Sequence, residues 1–546
     1  MDDSRDALRS YESPGMYDVV IRGGTVVDGT GRPQFRADVG VREERVAAIG
    51  NLADAEAHKT LEAAGLIVAP GFIDVHSHSD FTLLVDPRAQ SALAQGVTTE
   101  VVGNCGHGCA PITNPALNAF NIYGYSPDVA IGWTTMAGYL EELDARQPAV
   151  NVASLVPNGN LRLASVGEAD GPASRAELRS MEHLLEAALE EGGFGLSTGL
   201  ESPGERGATE NEISALCRVV ARHDGLYATH TRNKETRAVE AVEEATRAAE
   251  SSNVRLQVSH IIPRRGGSPP RALERSLDVI DRARASGIDA AFDIHTRLFG
   301  LTNLSAVLPP WALEGGPEAI AARLRDPAAR TAMKQHPSLL TSFELGGWDK
   351  VFVLDTPHRP DAEGRSLSEL TPPGRDTYEV IFDILLAEEE AIHRPMCICW
   401  SYDEDQLATA AQHPYCMVAS DATTLSPGGP IDGTLIHGAY SWSSWLFRRF
   451  VRERNLLTLE EAIRKLTAVP AGQVRLSGRG ALREGAWADI AVFDPITFRE
   501  RGTVSDPLVL AEGMVHVVVN GTVARENSAF TGQRSGKALR RGGRSQ

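Results

Sequence analysis

VAPGFIDVHSHSD, running from Val68 to Asp80, is an apolar run closed by two histidines, His76 and His78, with one serine between them. Alternate side chains of an extended strand point to the same face. His-x-His on a strand therefore aims two imidazoles at one point, whereas a helix would splay them by about 200°. Two neutral imidazoles converging at a strand end suit a Zn-like divalent cation. The plainer alternative is a pair of surface histidines that follow a buried strand.

The surrounding chain bounds the answer. At 546 residues it exceeds one ordinary core, so two to four domains are expected. With 42% hydrophobic and 23% charged residues it reads as a soluble globular protein, and no apolar run is long enough to span a bilayer. The N-terminal MDDSRDALRSYES lacks an apolar segment, so no secretory signal is expected. A formal net charge of −18 argues against nucleic acid and anionic membrane as partners and leaves a small-molecule substrate. Six cysteines are too sparse for a disulfide framework, so a reduced, cytoplasmic protein is expected. Nothing in the sequence sets the oligomeric state.

Residues 17–67 alternate apolar and polar residues between Gly- and Asp-rich turns, which predicts short antiparallel strands. That texture returns in 466–530, at WADIAVFDP (487–495) and GMVHVVVNGTVA (513–524), with an Asn-Gly hairpin signal at 520–521. The two halves predict one composite β-sandwich domain closed by both chain ends; two separate small domains are the alternative. Residues 1–16 are expected to be flexible, and the Arg- and Gly-rich tail 531–546 to be disordered or draped on the surface.

From 68 to 465, short apolar runs alternate with amphipathic segments such as ASRAELRSMEHLLEAALEEG. Eight runs (GFIDVHSH, TTEVVGNCG, AVNVASLVP, GFGLSTGL, GLYATHTR, VRLQVSHI, IDAAFDIHT and CMVASDAT) predict an α/β fold, a (β/α)8 TIM-like barrel with functional groups at the C-terminal strand ends. A doubly wound open sheet is the rival, and it leaves unexplained the polar residue closing nearly every run. Residues 297–375 fit the repeat badly and read as an insertion, a lid over the site. Reading the strand ends alone gives His76, His78, Cys105, His230, His260 and Asp421. Singly, each histidine is as well explained by a satisfied core position. Together, five apolar runs ending in potential ligands point to a metal centre. His107 and Cys109 flank Cys105 and are read as loop residues, and His58, His183, His223, His336, His393 and His413 are given no role.

The motifs PGFIDVHSHSD, VVGNCGHGCAP, GLSTGL, YATHTRN, QVSH, VLPPWALEGG and ASD, with the later TAVPAGQVRLSGRGALREGAWADIAVFDP, resemble the N-acyl-D-amino-acid deacylases (D-aminoacylases) of the amidohydrolase superfamily, over about Tyr17 to Arg540. The resemblance implies a zinc-dependent hydrolase that cleaves the amide C–N bond of an N-acylated amino acid or related N-acyl amide. It implies that Cys105, His230 and His260 hold one tight Zn²⁺ and that His76 and His78 form a second, weaker site. Asp421, counted among the ligands, would be the general acid/base. Many relatives in the superfamily bridge two metals with a carboxylated lysine at a strand end. No lysine here terminates a predicted strand, which leaves Cys105 as the anionic ligand and counts against the alternative, a cyclic-amide hydrolase of the dihydropyrimidinase or hydantoinase kind. Retention of all six candidate residues counts against a third reading, a non-catalytic barrel that binds a metabolite.

The chain departs from the family where a substrate carboxylate is recognised. Ile262 replaces a lysine, Asp293-Ile294-His295-Thr296-Arg297 replaces an Asp-x-Tyr-Pro-Tyr segment, and His437-Gly438-Ala439 replaces His-Pro-Arg. Substitutes available for substrate binding are His295, Arg297, Arg264, Arg232 and Lys234, with Arg265 also nearby. A site without charged partners rejects a buried carboxylate. Weak activity on ordinary N-acetyl-D-amino acids is therefore expected, unless an arginine such as Arg297 has taken over.

Overall fold

Eight parallel strands close into a barrel in this computed structural model, which describes residues 16–542 except 119–121, 123, 168–170, 203, 266, 314–315, 336–346, 393, 432–436 and 505. The barrel strands are β1 (Phe72–Asp74), β2 (Val97–Val102), β3 (Asn151–Ser154), β4 (Gly195–Gly199), β5 (Leu226–His230), β6 (Arg255–Val258), β7 (Ala290–His295) and β8 (Cys416–Ala419). Each pairs in parallel with its neighbours, β3 reaching β4 through the short extension Val156–Pro157. Closure comes just past the strand ends: Ser77 bridges Ala422, and Asp421 N donates to His76 O at 2.9 Å. The expected eight runs are these eight strands. Their near-continuous burial explains why they read as apolar runs rather than as alternating strands.

Helices between the strands cover the barrel. Arg175–Glu190 begins at a capping box, Ser174 with Glu177, and buries Met181, Leu185, Ala188 and Leu189 on one stripe. Ile73, Val101, Ala153, Leu226, Ala291 and Met417 fill the barrel's interior together with Ala471 and Val474 of the helix Ala468–Val474. The barrel therefore runs past residue 465, where the sequence had placed its edge. Pro470 and Gly472 hid that helix.

Outside the barrel, strands from both chain ends share one sheet, and N-terminal strands alone form a second. A seven-stranded sheet runs Ala529–Phe530, Thr522–Glu526, Met514–Val519, Ile490–Phe493, Ile67–Pro70, Thr25–Val26 and Phe35–Arg36. A four-stranded sheet orders Arg45–Gly50, Asp38–Arg42, Tyr17–Arg22 and Ala57–Glu62. One apolar cluster joins them, with Val19, Ile21, Val39 and Val41 beside Val68, Ile490, Val492 and Val518. Asn520 and Gly521, at φ 45° and 80°, turn the predicted hairpin.

One further boundary differs from the sequence reading. The insertion extends beyond 375, because Met396–Cys399 is the central strand of an antiparallel sheet with Gly300–Asn303 and Val351–Leu354. A separate core that includes Leu304, Val353, Phe382 and Cys397 holds that unit together. The helix Thr377–Ala387 belongs to it, with Val380, Ile381, Ile384 and Leu385 in the same core. The C-terminal tail is laid along the barrel: Val152 N donates to Lys537 O at 2.9 Å and Leu539 N to Val152 O at 2.7 Å. The expected flexibility of 1–16 falls almost wholly outside the described residues, as do His336 and His393.

Candidate metal centre

The strand-end residues meet at the C-terminal mouth of the barrel. Ligand-capable atoms of His76, His78 and Cys105 lie within 4.8 Å of one another, as do those of Cys105, His230 and His260, and those of His76, His260 and Asp421. Cys105 Sγ is 3.2 Å from His76 Nε2 and 3.5 Å from His260 Nε2. Asp421 Oδ1 stands 3.4 Å from His78 Nε2 and 3.5 Å from His76 Nε2. Cys105 belongs to two of the triads, which places the thiol between two clusters of imidazole.

Local backbone conformation makes this convergence. Cys105, His260 and Asp421 all adopt left-handed φ, at 53°, 35° and 44°. Such positions cost about 1–3 kcal/mol and persist where the surroundings over-determine them. Asp293 supplies part of that constraint: Oδ1 accepts from His260 N at 2.8 Å and lies 3.2 Å from His76 Nδ1, while Oδ2 accepts from Gln257 Nε2 at 2.6 Å. Glu201 plays a similar part for His230, with Oε2 at 2.7 Å from Nε2.

Electrostatics fit a cation. Burial opposes ionisation of the Cys105 thiol, yet the charge of His76 and hydrogen bonds from His230 and His260 hold its pKa well below the ordinary thiol value. Burial likewise opposes Asp421, but the His78 hydrogen bond and the charges of His260, His76 and Arg297 hold it well below the usual carboxylate range. His78 rises to about 9 against its burial, through its bonds to Asp421 and Cys105. A thiol and a carboxylate held toward their anionic forms thus face His78, held toward its cation, and His260, which burial and the charge of Lys234 push down to about 4, where a divalent ion would replace the protons. One thiol, several imidazoles and one carboxylate are a borderline-soft donor set that matches zinc.

The five residues considered for substrate binding divide sharply. Arg232 turns away to Glu244 and the carbonyls of Arg206 and Ala208. Arg264 pairs with Glu201 and Glu235. Arg297 bonds Asp421 and three backbone carbonyls. Lys234 reaches the site from the loop after β5, its Nζ 2.8 Å from His260 Nδ1, and forms no carboxylate pair among the described residues. His295 is buried, its ring centroid 4.8 Å from that of Tyr402, and burial and Arg297 keep its pKa well below normal. Arg265 is largely exposed and faces Asp403. His107 lies by Ser202, and His413 is held at the other end of the barrel by Asp281.

Sequence reasoning missed Glu201, Asp293 and Tyr402. Glu201 follows GLSTGL directly and was visible by the same strand-end rule that found the histidines. Asp293 lies inside β7, and Tyr402 beyond the insertion, where no local pattern marks either.

The chain is similar to known proteins over nearly its whole length. The profile described as an amidohydrolase family matches residues 59–334 and 404–525. The chain is 36% identical over 534 residues to an N-acyl-D-glutamate deacylase of Alcaligenes xylosoxydans xylosoxydans, covering 96% of each chain. It is 33% identical to a D-aminoacylase of the same organism, covering 96% of this chain and 98% of that one. The crystal structure of N-acyl-D-glutamate deacylase from Bordetella bronchiseptica, complexed with zinc and a phosphonate mimic of the tetrahedral intermediate, superposes with a TM-score of 0.79 at 33% identity, covering 96% of this chain and all of that one.

Proposed function

We propose, from the premise that the chain belongs to the amidohydrolase family, that it is a zinc-dependent deacylase that hydrolyses the amide C–N bond of N-acyl-D-amino acids. The observation that carries this reading is the convergence of Cys105, His230, His260, His76, His78 and Asp421 at one barrel mouth. Cys105, His230 and His260 would hold the tighter ion, and His76 and His78, with Asp421, a weaker one. Bound zinc would supply a Lewis acid for the scissile carbonyl and lower the pKa of water.

The chain's own residues do the rest. Asp421 takes the proton of the attacking water and delivers it to the departing amine nitrogen, so that amide and water become acid and amine. Glu201 and Asp293 fix the rings of His230 and His76. The mixed sheet from both chain ends and the N-terminal sheet packed on it act as one sandwich that braces the barrel. The insertion leaves from β7 and returns at Tyr402 beside His295, with Phe299 between Trp400 and His437, which suits a lid that excludes water. Among the described residues no helix is long and apolar enough to cross a membrane, and the acidic, reduced-thiol composition suits the cytoplasm.

The test is metal analysis of the purified protein, followed by an assay of N-acetyl-D- and N-acetyl-L-amino acids and of hydantoins. Zinc-dependent release of the free D-amino acid is expected. Hydrolysis confined to the cyclic amides would replace this reading with the hydantoinase-like one.

A further inference from the structure

Arg297 follows the last residue of β7 by two positions, yet its guanidinium lies against the loop after β8. Nη1 donates to the carbonyls of Ser420 and His437, both at 2.7 Å. Nη2 donates to the Asp421 carbonyl at 2.8 Å and to Asp421 Oδ2 at 3.1 Å. Two terminal amino groups carry four protons, and four acceptors take them. The side chain is only 10% exposed.

The opposing segment is shaped for this guest. A Cβ on Gly438 would stand 2.1 Å from Arg297 Nη1, and Gly438 itself holds φ 100°. No side chain at 438 is compatible with the guanidinium where it lies. The carboxylate between them is divided: Oδ2 goes to Arg297, while Oδ1 faces His76 and His78. Rotation about the last side-chain bond of Asp421 is thereby stopped, and Oδ1 is the oxygen presented to the site. The left-handed backbone at Asp421 is held by the same group, through its own carbonyl and that of Ser420. A lysine offers donors from a single point and cannot span a carboxylate and backbone carbonyls in one plane.

We propose that Arg297 is the positioning residue of Asp421, with Gly438 as the clearance it requires, and that it takes no part in holding the substrate. This rests on reading Asp421 as the proton carrier.

The experiment compares zinc-loaded wild type, Arg297→Ala, Arg297→Lys, Asp421→Asn and the Arg297→Ala/Asp421→Asn double variant on N-acetyl-D-glutamate, with zinc content and thermal midpoint measured on each. Arg297→Ala should lose about 10²-fold in kcat, the scale of a misplaced reacting group, with KM hardly moved and zinc retained. Millimolar guanidinium should restore part of that loss, and Arg297→Lys should fall between. The double variant should be no slower than Asp421→Asn alone, because the two residues act as one unit. Gly438→Ala should reproduce the kcat loss and add nothing in the Arg297→Ala background. A raised KM at unchanged kcat, or losses that multiply in the double variant, would overturn the proposal. Wild-type kcat in Asp421→Asn, or no hydrolysis by wild type, would instead remove the functional reading. The thermal midpoints then decide alone, and additive losses for Arg297 and Asp421 would remove the pairing as well.

Discussion

Cys105 Sγ lies 3.2 Å from His76 Nε2, and the one sulfur is within reach of both the His76–His78 pair and the His230–His260 pair. The position rests on Gly106, where a Cβ would overlap the carboxyl of Glu205, and on the left-handed φ of Cys105. Removing the sulfur should therefore empty the whole centre. Cys105→Ala is expected to purify folded but with its tight zinc lost and its hydrolysis abolished. Elemental analysis beside circular dichroism checks this, and full zinc in a folded variant would refute the assignment.

Glu201 makes a second, independent prediction. Its Oε2 lies 2.7 Å from His230 Nε2 and 2.8 Å from Arg264 Nη2, so it fixes the ring and would leave Nδ1 for a metal. Partners of this kind are worth about 10–100-fold in metal affinity. Glu201→Gln should weaken zinc binding on that scale while leaving the far-ultraviolet spectrum unchanged. Competition with a chromophoric chelator measures it. Unchanged affinity would make Glu201 merely a partner for Arg264.

The barrel was legible because buried parallel strands read as apolar runs, each closed by the polar group the fold presents. His76, His78, Cys105, His230, His260 and Asp421 could all be found by that rule. Arg264, Arg232 and Arg297 could not be sorted. Whether an arginine meets a substrate or an internal carboxylate depends on Glu201, Glu244 and Asp421, which lie 63, 12 and 124 residues from their partners. The end of the insertion escaped for a related reason: Met396–Cys399 is a strand only because two distant strands flank it.

Glu205 sets a pH dependence of stability. It lies buried beneath the Cys105 loop, and burial pushes its pKa up to about 7, against the hydrogen bonds from Asn158 and Gly199. A folded-state pKa raised above the unfolded value of about 4.5 means that the folded chain holds the extra proton. Its contribution is full below pH of about 4.5 and is lost as pH rises to about 7. Glu205→Gln keeps an acceptor for both donors and removes the ionisation. It should gain thermal stability over wild type at pH 8 and lose that advantage toward pH 5. Parallel midpoint-versus-pH curves would contradict this.

Specificity turns on Lys234. By the resemblance, Ile262 and Ala439 fall where the family's lysine and arginine would meet a substrate carboxylate, which argued for weak activity on N-acetyl-D-amino acids. Arg297 does not restore that contact, because Asp421 and three carbonyls occupy it. Lys234 does offer a replacement from a different strand end, buried and without a carboxylate partner among the described residues. A charged amine is only a donor, so His260 Nδ1 must accept from it in the contact seen here. With His260 Nε2 given to a metal, Nδ1 would carry the proton and could no longer accept. The amine would then be free to face the cleft wall that Tyr402 and His295 form. A substrate carboxylate is the partner that satisfies it, and a charge-assisted bond of this kind contributes about 1.5–3 kcal/mol. Lys234→Met should therefore raise KM for N-acetyl-D-methionine by about 10–100-fold and leave its uncharged amide unaffected. The same ratio of kcat/KM for acid and amide in wild type and variant would show that Lys234 does not read the carboxylate.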